Sequence, residues 1–234
     1  MTGHATAHVF VQTREGVWLA SDSLSIHDDA NGQHTQSNSC KVVISRGRLI
    51  FNAGSFKDST LLRSQEAALP FEDAKVTKAL ILELLKTNHM DLTRDPTHTA
   101  DQLVVNSGIL QVDGHGFTEL MFGQTDDLRL QSMPVNEIKM GVPHGFGTTI
   151  NRVRDEAYKD PALAAWIAGH PKEELLKILN EEASTRPTEV EPPFTVLLLH
   201  NDGTVSDYSD QPLCTIPADA VHVEHADPKH ITSK

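Results

Sequence analysis

Thr6-Ala7-His8-Val9-Phe10-Val11-Gln12-Thr13-Arg14-Glu15-Gly16-Val17-Trp18-Leu19-Ala20-Ser21-Asp22 is the stretch that decides the fold. Residues 7–13 alternate loosely and residues 16–21 are apolar, so both read as strands hinged at Glu15-Gly16. Thr6 stands at one end of this hairpin and Asp22 at the other, and Lys41 opens a third strand, Lys41-Val42-Val43-Ile44-Ser45. A threonine, an aspartate and a lysine carried to one sheet edge can turn a weak hydroxyl into a nucleophile. That chemistry normally requires the threonine to be the first residue, and Thr6 is preceded by five others.

Further along, residues 23–39 read as a polar loop, with turn chemistry at Asp28-Asp29-Ala30-Asn31-Gly32. Arg46-Gly47-Arg48 is the tip of a hairpin between 41–45 and 49–52. After Ala53-Gly54, the residues Leu61, Leu62, Val76, Ala79, Leu80, Leu82, Leu84 and Leu85 recur with helical spacing, interrupted near Pro70 and closed by Asp95-Pro96. Strand-like runs follow at 103–105, 108–112, 118–122, 128–132 and 137–140, separated by Asp113-Gly114 and Asp126-Asp127 among other turn residues. Residues 150–158 and 162–167 read as helices. His170-Pro171 starts another, with proline in its first turn and Glu173-Glu174 near its positive end. A buried strand, 194–199, turns at Asn201-Asp202-Gly203 into 204–208.

Strands, helices, strands, helices, strands is the order of an α+β fold. The expected architecture is a four-layer αββα sandwich, two antiparallel sheets face to face with helices on both outer sides. At 234 residues the chain fits one domain, 6–217, with 1–5 as an N-terminal extension or propeptide remnant and 218–234 as a polar tail.

A net charge of -12 and the lack of a basic stripe argue against nucleic acid or an anionic membrane as partner. No apolar run reaches the roughly 18 residues of a membrane span. The N-terminus has no apolar signal core, although Ala5-Thr6-Ala7 would suit a cleavage site, so the cytoplasm is the default location. Cys40 and Cys214 form no CxxC pair, and two free thiols are expected over the alternative of a single bridge. His222-Val223-Glu224-His225 with His230 fits no strong zinc spacing and reads as polar tail, so neither metal nor cofactor is expected. Gly145-Phe146-Gly147-Thr148-Thr149 lacks the lysine of a phosphate loop and reads as the approach to a helix, and no GxSxG elbow supports a serine hydrolase.

Five short motifs in register resemble the proteasome-type subunits of the N-terminal-nucleophile hydrolase superfamily. They are Gly16-Val17-Trp18-Leu19-Ala20-Ser21-Asp22-Ser23, Cys40-Lys41-Val42, Ala53-Gly54-Ser55-Phe56-Lys57-Asp58, Met140-Gly141, and Asn180-Glu181-Glu182-Ala183-Ser184 leading to 194–199 and Asp202-Gly203. The resemblance covers about residues 6–208 and implies a threonine-type peptidase. Thr6 would be the nucleophile, with its own α-amine as base once the bond from Ala5 is cut. Lys41 would favour the alkoxide, Asp22 would orient Lys41, and the Gly54 N–H would bind the oxyanion. Glu181 and Ser184 stand where the family has an aspartate and a serine around the nucleophile.

The resemblance further implies a peptide or unfolded-protein substrate and a homo-oligomer, a ring or related closed array. The chain departs from the family at Val142, where a serine is usual, at Leu24, where an arginine is common, and at Ala5, where glycine permits the tight turn of self-cleavage. Each residue also has an ordinary reading: a strand-edge threonine, a surface Lys–Asp pair, a turn glycine, an exposed glutamate. Two functions therefore stand at this level. One is a proteasome-like threonine hydrolase; the other is a structural or binding subunit that keeps the fold and Met1 and has no free threonine amine.

Overall fold

The computed structural model describes residues 7–28, 34–54, 105–113, 116–123, 125–132, 134–141 and 148–222, with helical backbone also at Val76, Ala79, Leu80, Glu83 and Thr87. Its first strand, β1 (His8–Gln12), is buried at every position, which explains why its sequence alternates so weakly. A strand covered on both faces has no polar side to advertise. The second, β2 (Gly16–Ser21), is equally buried and pairs antiparallel with β1, His8 opposite Ser21 and Gln12 opposite Val17. Thr13 closes the turn between them, its N–H donating to the Gly16 carbonyl at 2.7 Å. Gly16 is required by close approach, because a Cβ there would overlap the Leu199 carbonyl oxygen.

Then come β3 (Leu24–Asp28), β4 (His34–Asn38), β5 (Val42–Ser45), β6 (Arg48–Gly54), β7 (Val105–Asp113), β8 (Gly116–Gly123), β9 (Thr125–Ser132) and β10 (Ile138–Gly141). Three helices, α1 (Thr148–Lys159), α2 (Pro161–Gly169) and α3 (Pro171–Thr185), lead to β11 (Thr195–His200) and β12 (Val205–Asp207). The fold is mixed α/β with two five-stranded antiparallel sheets, β10-β1-β2-β11-β12 and β5-β6-β7-β8-β9, and a separate β3-β4 ribbon.

Side-chain alternation assigns the faces. Phe10, Val17, Leu19, Leu197 and Leu199 of the first sheet share one apolar cluster with Val42, Ile44, Leu49, Phe51 and Leu110 of the second, so the sheets pack face to face. Val9, Val11, Trp18, Ala20, Val196 and Leu198 look the other way, onto Ile150, Ile167, Leu175, Ile178 and Leu179 of the helices. Each fully buried Val, Leu, Ile or Phe among them contributes about 1.5–3 kcal/mol of transfer free energy.

The helix boundaries have visible causes. Asp160 caps α2, its carboxylate accepting from Ala162 N at 2.9 Å and Leu163 N at 3.4 Å. Proline opens α3, and Glu173 and Glu174 lie in its first turn. Val76, Ala79, Leu80, Glu83 and Thr87 are helical as the periodicity predicts; the rest of 55–104 lies outside the described residues.

Several sequence expectations need correction. The polar loop 23–39 contains the β3-β4 hairpin, paired from Leu24↔Asn38 to Asp28↔His34. Its polarity reflects exposure of Gln36, Ser37 and Asn38 rather than lack of strand structure. Val105 and the run 108–112 belong to one strand, because Asn106-Ser107-Gly108 pair with Phe51-Asn52-Ala53 instead of turning, and 103–104 lie outside the described residues. Asp126-Asp127 likewise lie inside β9. Cys40 and Cys214 are not free thiols: the fold brings them together as a disulfide. The polar tail begins with Ala220 buried, the Val205 N–H donating to its carbonyl at 2.6 Å. Residues 223–234 lie outside the described residues, as do 1–6.

Candidate functional site

Asp22 follows directly on β2, where the strand leaves its pairing with β1, and Lys41 directly precedes β5 of the other sheet. They meet at one end of the space between the sheets, Lys41 Nζ to Asp22 Oδ2 at 2.7 Å. The carboxylate is fully buried and the lysine side chain 8% exposed, so this is an interior ion pair. Asp22 Oδ1 accepts from the Ala7 N–H at 2.8 Å and Oδ2 from the Leu24 N–H at 3.2 Å. The Asp22 N–H in turn donates to the Ala7 carbonyl at 3.2 Å. Ala7 is thereby held on Asp22 through both its backbone polar groups. Thr6, the residue before it, lies outside the described residues.

Burial raises the Asp22 carboxyl above its ordinary value of 3.8, while the Lys41 charge and hydrogen bond, followed by the Ala7 and Leu24 N–H groups, pull it down. Leu24 contributes through its backbone and starts β3.

Gly54 is the last residue of β6. That strand runs three residues beyond Phe51, the partner of Val42 at the start of β5. Asn52, Ala53 and Gly54 pair with β7, and their other edge lies at the same end of the sheet as Lys41. Gly141 ends β10 opposite His8, and Val142 lies outside the described residues.

Glu181 and Ser184 are not brought to this pair. Both lie on the exposed face of α3: Glu181 takes Arg152 Nη2 at 2.8 Å, and Ser184 Oγ donates to the Asn180 carbonyl at 2.8 Å. The neighbouring Glu182 turns inward instead. Its Oε2 accepts from Thr149 N at 3.1 Å and Ile150 N at 3.2 Å, capping the N-terminus of α1. Helix α1 thus begins at the Thr148-Thr149 pair, as the reading of a helix approach expects; Gly145 to Gly147 lie outside the described residues.

Three side chains missed in the sequence complete this end of the cleft. His8, Ser21 and Thr195 stand opposite one another across β1, β2 and β11, all on the inter-sheet face and all buried. The His8 ring packs 4.7 Å from Phe51. Strand period gives the signal that was available: His8 shares a face with Phe10, Ser21 with Leu19, and Thr195 with Leu197. The segment before β11 also closes in, the Ser23 N–H donating to the Glu191 carbonyl at 3.5 Å.

Of the histidine tail, His222 is described. It stacks on His200 at 3.9 Å and shares a hydrogen bond with Thr204 Oγ1 at 2.9 Å. Among the described residues no group of three or more His, Cys, Asp or Glu could hold a metal, and no helix is long and apolar enough to cross a membrane. No protein-family model and no curated protein matches this sequence.

Proposed function

We propose that the chain is a proteasome-like threonine hydrolase that cleaves peptide amide bonds. Residues 1–5 are removed, and the freed Thr6 amine takes the Thr6 Oγ proton, directly or through water, as Oγ attacks the scissile carbonyl. Lys41 lowers the cost of the alkoxide, Asp22 holds Lys41, and the Gly54 N–H binds the oxyanion. The tetrahedral intermediate collapses with cleavage of the C–N bond, the leaving amine takes the proton from the Thr6 ammonium, and water then hydrolyses the acyl–Thr6 ester to free the acid and regenerate Oγ–H. A four-layer αββα sandwich belongs to the same reading. Ile50 and Ile109, fully buried although they face away from the first sheet, support it.

The observation that carries the function is the buried Lys41–Asp22 pair with Asp22 Oδ1 on the Ala7 N–H, because it fixes the chain beside Thr6 against a carboxylate and a cation. A homo-oligomer completes the proposal, and Tyr158 and Trp166, exposed on α1 and α2, are surface a second copy could cover. A cytoplasmic location has the disulfide against it, since thiols there are kept reduced.

A second reading, a silent subunit that keeps the fold, is favoured by the outward position of Glu181 and Ser184. Intact mass and peptide turnover of protein from its native host separate the two. The enzyme begins at Thr6, hydrolyses a fluorogenic peptide and loses at least about 100-fold in rate on Thr6→Ala. A full-length chain without turnover supports the silent subunit. A monomer by light scattering removes the oligomer.

A further inference from the structure

Cys40 and Cys214 are joined across 174 positions of sequence, with their Cα atoms 5.0 Å apart. Cys40 immediately precedes Lys41, and both cysteines are half-buried against the inter-sheet cluster. Cys214 belongs to the irregular run between β12 and the Val205–Val221 bridge. Its Sγ stands 3.7 Å from Thr195 Oγ1, and Thr195 is the register partner of Ser21, the residue before Asp22. The bond therefore closes a circuit around the candidate site, from Lys41 to Asp22, through Ser21, Thr195 and Cys214, and back through Cys40.

Lys41 stands before β5 rather than inside the ladder, and the nearest strand pairing on its N-terminal side is that of Asn38 with Leu24. Ahead of it, the Ser39 N–H donates to the Ser23 carbonyl at 3.0 Å, and the Cys40 crosslink supplies a covalent anchor. A lysine carries up to about 2 kcal/mol of rotamer entropy, so keeping its ammonium on one oxygen calls for a fixed backbone.

We infer that the Cys40–Cys214 disulfide is a positioning element for Lys41, holding its ammonium on Asp22 when formed and releasing it when reduced. A dithiol supplies the two electrons and two protons: the Sγ–Sγ bond breaks, two thiols form, and the dithiol closes to its own disulfide. The effect on Lys41 stands by itself, whereas the effect on amide hydrolysis rests on the function proposed above.

Competitive acetylation read by mass spectrometry tests it, with Lys177, whose side chain is 71% exposed, as internal reference. In the oxidised protein Lys41 should be strongly protected. After dithiothreitol has freed both thiols, its labelling should rise about tenfold while Lys177 stays unchanged, and reoxidation should restore protection. Cys214→Ser should label like the reduced protein. Unchanged Lys41 labelling with both thiols free overturns the inference. So does loss of the far-UV circular dichroism on reduction, because the bond would then hold the whole fold rather than Lys41. Peptide hydrolysis should fall in kcat with KM unchanged. If labelling rises and neither redox form hydrolyses peptide, the positioning role stands and the hydrolase reading falls.

Discussion

Replacing Lys41 by methionine keeps most of the side-chain volume and removes the cation from a fully buried carboxylate. Leaving one partner of an interior ion pair uncompensated costs about 3–5 kcal/mol, against roughly 0–1 kcal/mol for an exposed pair. The two N–H groups from Ala7 and Leu24 remain on Asp22, so the lower half of that range is the better expectation. The cost must also depend on pH. Burial already raises the Asp22 carboxyl above 3.8, and Lys41 is the largest influence opposing it, so its removal raises the carboxyl further. A carboxyl raised on folding favours the folded state fully below its unfolded value of 3.8, and that contribution is lost as pH rises through the folded value. Lys41→Met should therefore cost most at pH 8 and progressively less on acidification, by up to about 1.4 kcal/mol per pH unit within that window. Urea unfolding at pH 5, 6.5 and 8 measures this. Adding Asp22→Asn to Lys41→Met should recover at least about 1.5 kcal/mol at pH 8, the coupling expected of groups in direct contact. A loss under about 1 kcal/mol that is flat with pH would show that water screens the pair, and the reasoning would fail.

Glu182→Ala should destabilise by about 1–3 kcal/mol, since it strips the acceptor from two buried N–H groups at the start of α1. Glu181→Ala, one residue away, should stay within about 0.5 kcal/mol, and equal urea midpoints for the two variants would contradict the assignment of faces on α3. His200 is held below its ordinary 6.5 by burial first and then by the charge of His222, so its contribution is complete above pH 6.5 and lost as pH falls through the folded value. The thermal midpoint should accordingly fall less between pH 7.5 and 5 in His200→Gln than in the wild type; parallel curves would refute this. Gly16→Ala drives a Cβ into the Leu199 carbonyl and to 2.9 Å from Leu198 Cδ1, and it should leave little soluble protein on expression. A soluble variant with an unchanged melting temperature would mean that β2 and β11 are not in the register Gly16↔His200.

The sheet strands with mixed or apolar sequences were legible because burial and sequence agree along them, as in β2 and β11. The β3-β4 ribbon was hidden because its sequence is polar, with Gln36, Ser37 and Asn38 exposed, while its backbone pairs with itself whatever the side chains are. The Asp22–Lys41 pair was expected only through the resemblance, and it forms because two sheet ends that meet bring their flanking residues together. The roles expected of Glu181 and Ser184 were set by sequence order, which does not say which side of a helix a residue occupies. Rotating by one position exchanges an exposed carboxylate at 181 for a buried one at 182, and the inward one serves the α1 terminus. The disulfide was out of reach for a related reason: 174 residues of separation carry no distance information until both sheets are placed.

A buried lysine–aspartate pair is a poor way to stabilise a protein, because desolvating both charges offsets most of their attraction and two apolar side chains would fill the space as well. Its neighbours sharpen the point. Phe10, Leu19, Phe51 and Leu197 supply an apolar cluster between the same two sheets, and the charged pair lies at the end of that cleft where β2 stops and β5 starts. Stability alone gives no reason for the chain to change from apolar to ionic there while also turning His8, Ser21 and Thr195 inward. The proposed reaction would give one, because a preorganised cation and acceptor act most strongly where water is excluded. On that proposal the Ala7 N–H on Asp22 is the contact that would set the position of the residue before it.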